Sequence, residues 1–588
     1  MRFDRIPRCR AFALCLIGVV LALPCRSFAG AKSDDVCFPG APGGAVPEPA
    51  DLRSRNGELE VELAFRSFAD SQGQTRYCYV DGAGNQSPTL RVKPGDRVTL
   101  KLRNELPASE RVHNMAGHAG AKGEDCTGGP MTAASTNLHF HGLLIPPTCH
   151  QDDVLRTLVQ PSASPFEYSF EIPQDQPPGL YWYHPHVHGF TKAQVLGGAS
   201  GALIVEGIET VNHEASGLPE RVLVIRDQEL VNPDAAPVQT DSMPAPQVLR
   251  DAEGDILNTG TGTGKPAKDL SINFVPVAYP QYQPATITMK PAEKELWRVL
   301  NASAITYLDL QVLFKSRQQM LGVVALDGVP VNENGNRDQP IVWKRHVLIP
   351  PGGRAEFAVV GPKQGVPASL VTRSVDSGPA GENDPTRPLA TIVTSADAPP
   401  RSSRLPASPA ILARTHATPL NEVAPARVRR LYFSEKAQDP KNPNSPTVFF
   451  LTVEGKTPTA FDPNSTEPDI TVKQGDVEDW IIENRSQELH DFHIHQSHFQ
   501  LLEWNGVPVD EPYLRDTVNV AYWDGHSPVY PSVKLRMDFR DPNIVGTFVY
   551  HCHLLEHEDG GMMGTIRVEA RDVSAQTAEK STGNHASR

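Results

Sequence analysis

Ten of the chain's 20 histidines fall in four short clusters. These are His139-Phe140-His141, then His184-Pro185-His186, then His490, His493 and His495 in HDFHIH, and finally His551, His553 and His557 in HCHLLEHEDGGMM. Residues i and i+2 of a β-strand project from the same face, so a His-x-His pair on a strand offers two imidazoles side by side. Imidazole is a borderline ligand suited to Cu, Zn, Fe and Ni. A single pair is weak evidence, because surface histidines two apart arise by chance. Four clusters in corresponding parts of repeated units point to bound metal.

The fourth cluster selects the metal. Cys552 sits between His551 and His553, so on a strand it faces away from both and can serve a different ion. Its natural companions are His490, His557 and Met562. Two histidines, one thiolate and a weak axial thioether make a blue-copper electron-transfer site. Structural zinc prefers four strong ligands, and a thioether is a poor one. Met563 competes with Met562 for the axial place; the spacing favours Met562, with core packing as the plain alternative.

The elements that must hold these side chains are legible as a repeat. Leu90–Asn104 reads LRVKPGDRVTLKLRN, Ile287–Asn301 reads ITMKPAEKELWRVLN and Ile470–Asn484 reads ITVKQGDVEDWIIEN. Each has two alternating or apolar runs around a polar turn and ends in Asn, which predicts a pair of strands. GLYWYHPH (179–186) corresponds to GTFVYHCH (546–553), and GALIVE (201–206) to GTIRVE (564–569). The chain of 588 residues, with 54 Pro and 45 Gly, has room for three to four turn-rich domains. It divides into all-β sandwiches at 45–207, 218–398 and 425–570, a linker at 399–424 and a polar tail at 571–588, expected to be disordered.

Residues 1–29 have the pattern of an export signal: Arg2, Arg5, Arg8 and Arg10, an uncharged run from Ala11 to Leu23, and the small-x-small Ser27-Phe28-Ala29. The run is too short for an ordinary membrane span, so no membrane insertion is expected after cleavage, and the protein is expected in the periplasm or secreted. Three of eight cysteines fall in that signal. Export permits disulfides among Cys37, Cys78, Cys126 and Cys149, for example Cys37–Cys78 and Cys126–Cys149, although sequence does not fix the pairing. A formal charge of −14 argues against a nucleic-acid partner.

The four clusters in this order, HCHLLEHEDGGMM above all, resemble the signature of multicopper oxidases, the family of laccases, bilirubin oxidases and bacterial cuprous oxidases. The resemblance covers nearly the whole mature chain. It implies three cupredoxin-like Greek-key β-sandwich domains and four copper ions. His490, Cys552 and His557 would bind the type 1 copper with Met562 axial, and His139 and His493 the type 2 copper. His141, His184 and His553 would bind one type 3 copper, and His186, His495 and His551 the other. The departures are Phe140, where Trp is common, and Pro185, shared with some bacterial members. Pro185 stands in the place of Cys552, so the first domain should lack a blue site; the middle domain, with Asn301-Ala302-Ser303 at the corresponding point, should hold no copper. The resemblance also suggests Glu558 and Asp152, with Asp153 as the alternative, as carboxylates with a catalytic proton role.

The expected partners are O₂ and a small-molecule reductant or metal ion. Three functions are open: a laccase-like oxidase of phenols or aromatic amines, a Cu(I), Fe(II) or Mn(II) oxidase in copper tolerance, and a copper-binding protein without turnover. With nine Met in all and no Met-rich run, the chain leans toward the first. A complete ligand set argues against mere storage. His188 and His498 extend clusters but are expected to pack or support, His188 on the strand face of His186; His113, His118 and His150 are expected in loops.

Overall fold

A computed structural model describes residues 37–571, except 38, 71, 109–125, 127–129, 162–163, 238–249, 251–255, 259–263, 336–337, 405–417 and 443–444. The export signal, His113 and His118, half of the linker and nearly all of the tail lie outside the described residues.

Among the described residues the fold is nearly all β, with six sheets stacked in pairs as three sandwiches. Alternation builds them: in Arg97–Asn104 the residues Val98, Leu100 and Leu102 are fully buried while Arg97 and Lys101 face water. Each such buried aliphatic side chain contributes about 1.5–3 kcal/mol. The three repeats do form strand pairs: Thr89–Val92 with Arg97–Asn104, Ala285–Met289 with Lys294–Asn301, and Ile470–Lys473 with Val477–Asn484. The two strands of each pair belong to opposite sheets, so the polar turn between them is the corner of a sandwich and not a hairpin.

The shared terminal Asn has the same task in every copy. Asn104 donates to the carbonyls of Ala134 and Val159, Asn301 to those of Thr306 and Ile349, and Asn484 to those of Glu488 and Val520. Its own oxygen accepts the N–H two residues on, at Leu106, Ser303 and Ser486. A buried amide thus closes the loop where the chain leaves the strand, satisfying groups that would cost about 1–3 kcal/mol each if left unpaired.

The histidine strands occupy equivalent places. In the first sandwich Thr89–Val92 pairs parallel with Gly201–Val205, then antiparallel Gly179–His184, then His139–His141. In the third, Ile470–Lys473 pairs parallel with Met563–Glu569, then antiparallel Gly546–Cys552, then His490–Ile494. Strand Gly179–His184 stops at the second cluster because Pro185 has no N–H for the ladder. His186 and His188 therefore do not share a strand face; His188 packs edge-on against Phe461.

The first and third sandwiches meet directly. Val195 and Leu196 of the short helix Thr191–Leu196 join the core of the third. Asp559 of the third accepts the N–H groups of Gly189, Thr191 and Lys192 at 2.7, 3.2 and 2.8 Å, capping that helix from outside. Cys37 pairs with Cys78 and Cys126 with Cys149, and Cys552 is the free cysteine among the described residues. No helix among the described residues is long and apolar enough to cross a membrane.

Candidate metal centre

Cys552 ends the strand Gly546–Cys552, His490 opens the neighbouring strand His490–Ile494, and His557 lies on the helical turn Leu555–Asp559. Their donor atoms converge: Sγ is 3.6 Å from Nδ1 of His490 and 3.6 Å from Nδ1 of His557, and those nitrogens are 3.0 Å apart. All three residues are buried. The outer nitrogens are held: Nε2 of His490 lies 2.6 Å from Ser486 Oγ, and Nε2 of His557 lies 3.3 Å from Glu488. The Asp491 N–H donates to Sγ at 3.5 Å. Met562, also fully buried, is tied through its backbone to Cys552 and His557 at 3.0 and 2.8 Å.

Burial lowers the imidazole pKa of His490 well below its ordinary value and that of His557 to about 3, with the nearby Lys192 adding to the latter. Both are thus neutral and carry a free lone pair. Burial pushes the Cys552 thiol well above its ordinary range, so a cation is needed to stabilise the thiolate there.

On the other side of the same two strands, and across the junction with the first sandwich, lie the remaining eight histidines, all buried. Nε2 of His551 is 3.3 Å from Nε2 of His186 and 3.2 Å from Nε2 of His495. The rings of His139 and His495 stack at 3.7 Å, those of His141 and His493 at 3.8 Å. Donor atoms of His139, His141 and His184, of His139, His493 and His495, and of His186, His495 and His551 lie within 4.8 Å of one another.

Tautomers follow from what each ring already bonds. Nδ1 of His139 faces Asp152 at 2.9 Å, Nδ1 of His184 the Pro185 carbonyl at 2.9 Å, Nδ1 of His493 the Asp516 carbonyl at 2.9 Å, and Nδ1 of His551 the Cys552 carbonyl at 2.9 Å. In His141 the order is reversed, with Nε2 3.2 Å from Asp516. The opposite nitrogens, Nε2 of His139, His184 and His493 and Nδ1 of His141, are buried with no hydrogen-bond partner among the described residues, as are both nitrogens of His553. Buried lone pairs of this kind are costly unless something binds them. Neutral imidazoles and one thiol, with the buried Met562 tied through its backbone to Cys552 and His557, form a donor set that fits copper.

Of the two candidate carboxylates after HFHG, Asp152 touches the centre; it also accepts the Phe140 N–H at 3.0 Å and a bond from Gln496. Asp153 pairs instead with Arg156 at 2.8 Å. Glu558 is fully buried, 3.6 Å from Nδ1 of both His186 and His551, and burial together with Asp559 raises its pKa well above the usual carboxylate value. Asp516, Glu488, Ser486, Gln496 and Trp182, whose ring stacks on His184 at 4.0 Å, were not singled out from sequence. None carries a local signal, since each is defined by a partner elsewhere in the chain or by a residue type with many ordinary uses. His150 bonds the Glu167 carbonyl at 2.6 Å beside the Cys126–Cys149 bridge, and His498 is buried apart from the ligand groups.

The comparisons with known proteins agree with this geometry. A multicopper oxidase family model matches residues 131–210 and another matches 437–572, the segments that carry all four clusters. The multicopper oxidase mco of Staphylococcus haemolyticus is 24% identical over 489 residues, 82% of this chain and 81% of that protein. Copper resistance protein A of Pseudomonas syringae pv. tomato is 25% identical over 50% of this chain and 44% of its own length. Among solved structures, the Campylobacter jejuni multicopper oxidase, described as a metallo-oxidase, aligns with a TM-score of 0.61 at 21% identity over 91% of this chain and 99% of that one. McoA from Aquifex aeolicus aligns with a TM-score of 0.60 at 20% identity, covering 90% and 99%. With family models matched at both ends of the site and the cupredoxin fold shared along most of the chain, this protein carries two domains of the multicopper oxidases, a family of copper-dependent oxidoreductases that use O₂.

Proposed function

We propose that the chain is an exported, laccase-like oxidase that takes single electrons from phenols or aromatic amines and reduces O₂ to water with four of them. His490, Cys552 and His557, together with Met562, would hold one copper. His139 and His493 would hold a second, His141, His184 and His553 a third, and His186, His495 and His551 a fourth. When bound, copper supplies one-electron redox chemistry at the first position and O₂ reduction at the other three.

The observation that carries this reading is the placement of Cys552. Its sulfur lies 3.6 Å from two histidine nitrogens on one side, while its bonded neighbours His551 and His553 sit among the eight histidines on the other. A few covalent bonds therefore join the two centres.

The protein groups divide the remaining work. At the donor end, Glu488 faces His557 Nε2 at 3.3 Å and orients that ring with Nδ1 turned toward Cys552. At the O₂ end, Asp152 fixes the His139 tautomer from Nδ1 and holds a proton within reach of the centre. Glu558, kept protonated by burial, is placed to release a proton between His186 and His551. Burial of all eight histidines keeps bulk water and stray reductants away from partly reduced oxygen.

A metal-ion oxidase is the second reading. Glu488 is hydrogen-bonded to Glu435, and displacement of their shared proton would leave two carboxylates beside His557 to receive a cation. The test is O₂ consumption by copper-loaded protein given a phenol, a ferrous salt and a cuprous complex separately. Higher kcat/KM for the phenol supports the first reading and higher kcat/KM for a metal ion the second. No O₂ uptake with any donor overturns both.

A further inference from the structure

We infer that the middle sandwich, which has none of the clustered histidines, is a working part of the eight-histidine centre: its turn Pro350–Arg354 positions His141 and His553. The inference rests on the copper assignment proposed above and concerns which residues set the geometry of that site.

Arg354 begins the strand Arg354–Val360 of the middle sandwich and is fully buried. Its guanidinium grips Asp516 of the third sandwich with two parallel bonds, Nη1 to Oδ1 at 2.7 Å and Nη2 to Oδ2 at 2.6 Å. The other donors reach the carbonyls of Leu180 in the first sandwich (Nε, 3.3 Å), Gly352 (Nη1, 3.1 Å) and Asp327 (Nη2, 2.9 Å). All five N–H groups of a rigid planar fork are thereby used, on all three sandwiches at once.

Held in this way, Asp516 presents Oδ1 to His141 Nε2 at 3.2 Å and its backbone carbonyl to His493 Nδ1 at 2.9 Å. A carboxylate accepts only, so Nε2 of His141 must carry the proton and Nδ1 must carry the lone pair. That nitrogen is the one without a partner among the described residues. The ion pair thus selects the reversed tautomer of His141. Because it is neutral as a unit, it adds no net charge that would oppose a bound cation.

The same turn approaches the centre a second time. Gly352 has φ +79°, and a Cβ there would lie 2.7 Å from Nε2 of His553. Opposite it, a Cβ on Gly142, next to His141, would lie 2.5 Å from Arg354 Nη2 and 2.7 Å from Asp516 Oδ2. Backbone is packed against imidazole and guanidinium at these points with no room for a side chain.

The test compares copper-loaded wild type with Arg354→Lys, which keeps the charge but loses the fork, and Gly352→Ala, which leaves every ion pair in place. Electron paramagnetic resonance and graded chelation are read alongside the thiolate-to-copper absorption of the Cys552 site. That absorption reports on a folded third sandwich independently of O₂ turnover. Both variants should keep the absorption, change the resonance of the non-blue copper, and lose non-blue copper to chelator about 10–100-fold more readily. Wild-type resonance and wild-type chelation in both variants would overturn the inference. A wild type that itself lacks the thiolate-to-copper absorption would overturn the copper assignment instead.

Discussion

Asp152 has two separable tasks in this account, and two substitutions divide them. Its carboxylate accepts from three buried donors: the Phe140 N–H at 3.0 Å, His139 Nδ1 at 2.9 Å and the Gln496 amide. Asp152→Ala leaves all three without their acceptor and frees the His139 ring to turn. Loss of such an outer partner typically costs 10–100-fold in metal affinity, or about 1.4–2.7 kcal/mol. Asp152→Asn is different. Its oxygen can keep Phe140 and His139, and its new N–H₂ meets Gln496, whose Oε1 is buried without a partner. A flip of the Gln496 amide supplies the acceptor, so asparagine preserves the geometry while removing the ability to take up a proton. Copper retention against chelator should therefore fall in the order wild type, Asn, Ala. Steady-state O₂ reduction by the Asn variant should fall about 100-fold or more, while anaerobic bleaching of the thiolate-to-copper band by a donor keeps its wild-type rate. Stopped-flow absorption and O₂ uptake measure the two halves. Wild-type turnover in the Asn variant would refute the proton role, and wild-type copper retention in the Ala variant would refute the positioning role.

Cys552→Ser should abolish the thiolate-to-copper absorption and donor oxidation while the non-blue copper remains detectable by electron paramagnetic resonance. Removing copper with a chelator should lower the unfolding temperature seen by calorimetry by several degrees, because buried lone pairs at His139, His141, His184, His493 and His553 lose their partner; coincident transitions would contradict this. Away from the metal sites, burial and the neighbouring Asp175 and Asp538 raise the pKa of Asp541 to about 7. The folded chain binds that proton more tightly than the unfolded chain, so the stabilisation is complete below about pH 4 and lost by about pH 7. Asp541→Asn should flatten that part of the stability–pH curve in chemical denaturation.

The clustered histidines were legible as candidate ligands because metal binding demands particular residue types at short spacing, and the twofold recurrence of His-x-His within repeated strands made chance an inadequate explanation. The sandwiches were legible through the same repeat, whose closing residues Asn104, Asn301 and Asn484 turn out to make equivalent bonds. The supporting shell was not legible. Asp516 meets His141 across 375 residues and Arg354 across 162, and a lone Asp or Arg in a strand has no pattern of its own. Gly352 was hidden for a related reason: its need for glycine comes from the His553 ring, not from its own turn alone. The strand assignment of His186 and His188 went astray because alternation was carried through Pro185, which ends the ladder.

The central claim is that Cys552 binds one copper and is bonded to the arms of a separate copper cluster. Anomalous diffraction at the copper edge from a copper-loaded crystal tests it directly. The account predicts one copper within bonding distance of Cys552 Sγ and of Nδ1 of His490 and His557, and three more among the eight remaining histidines. A crystal with no copper beside Cys552, or with a single copper shared among those eight, would contradict it.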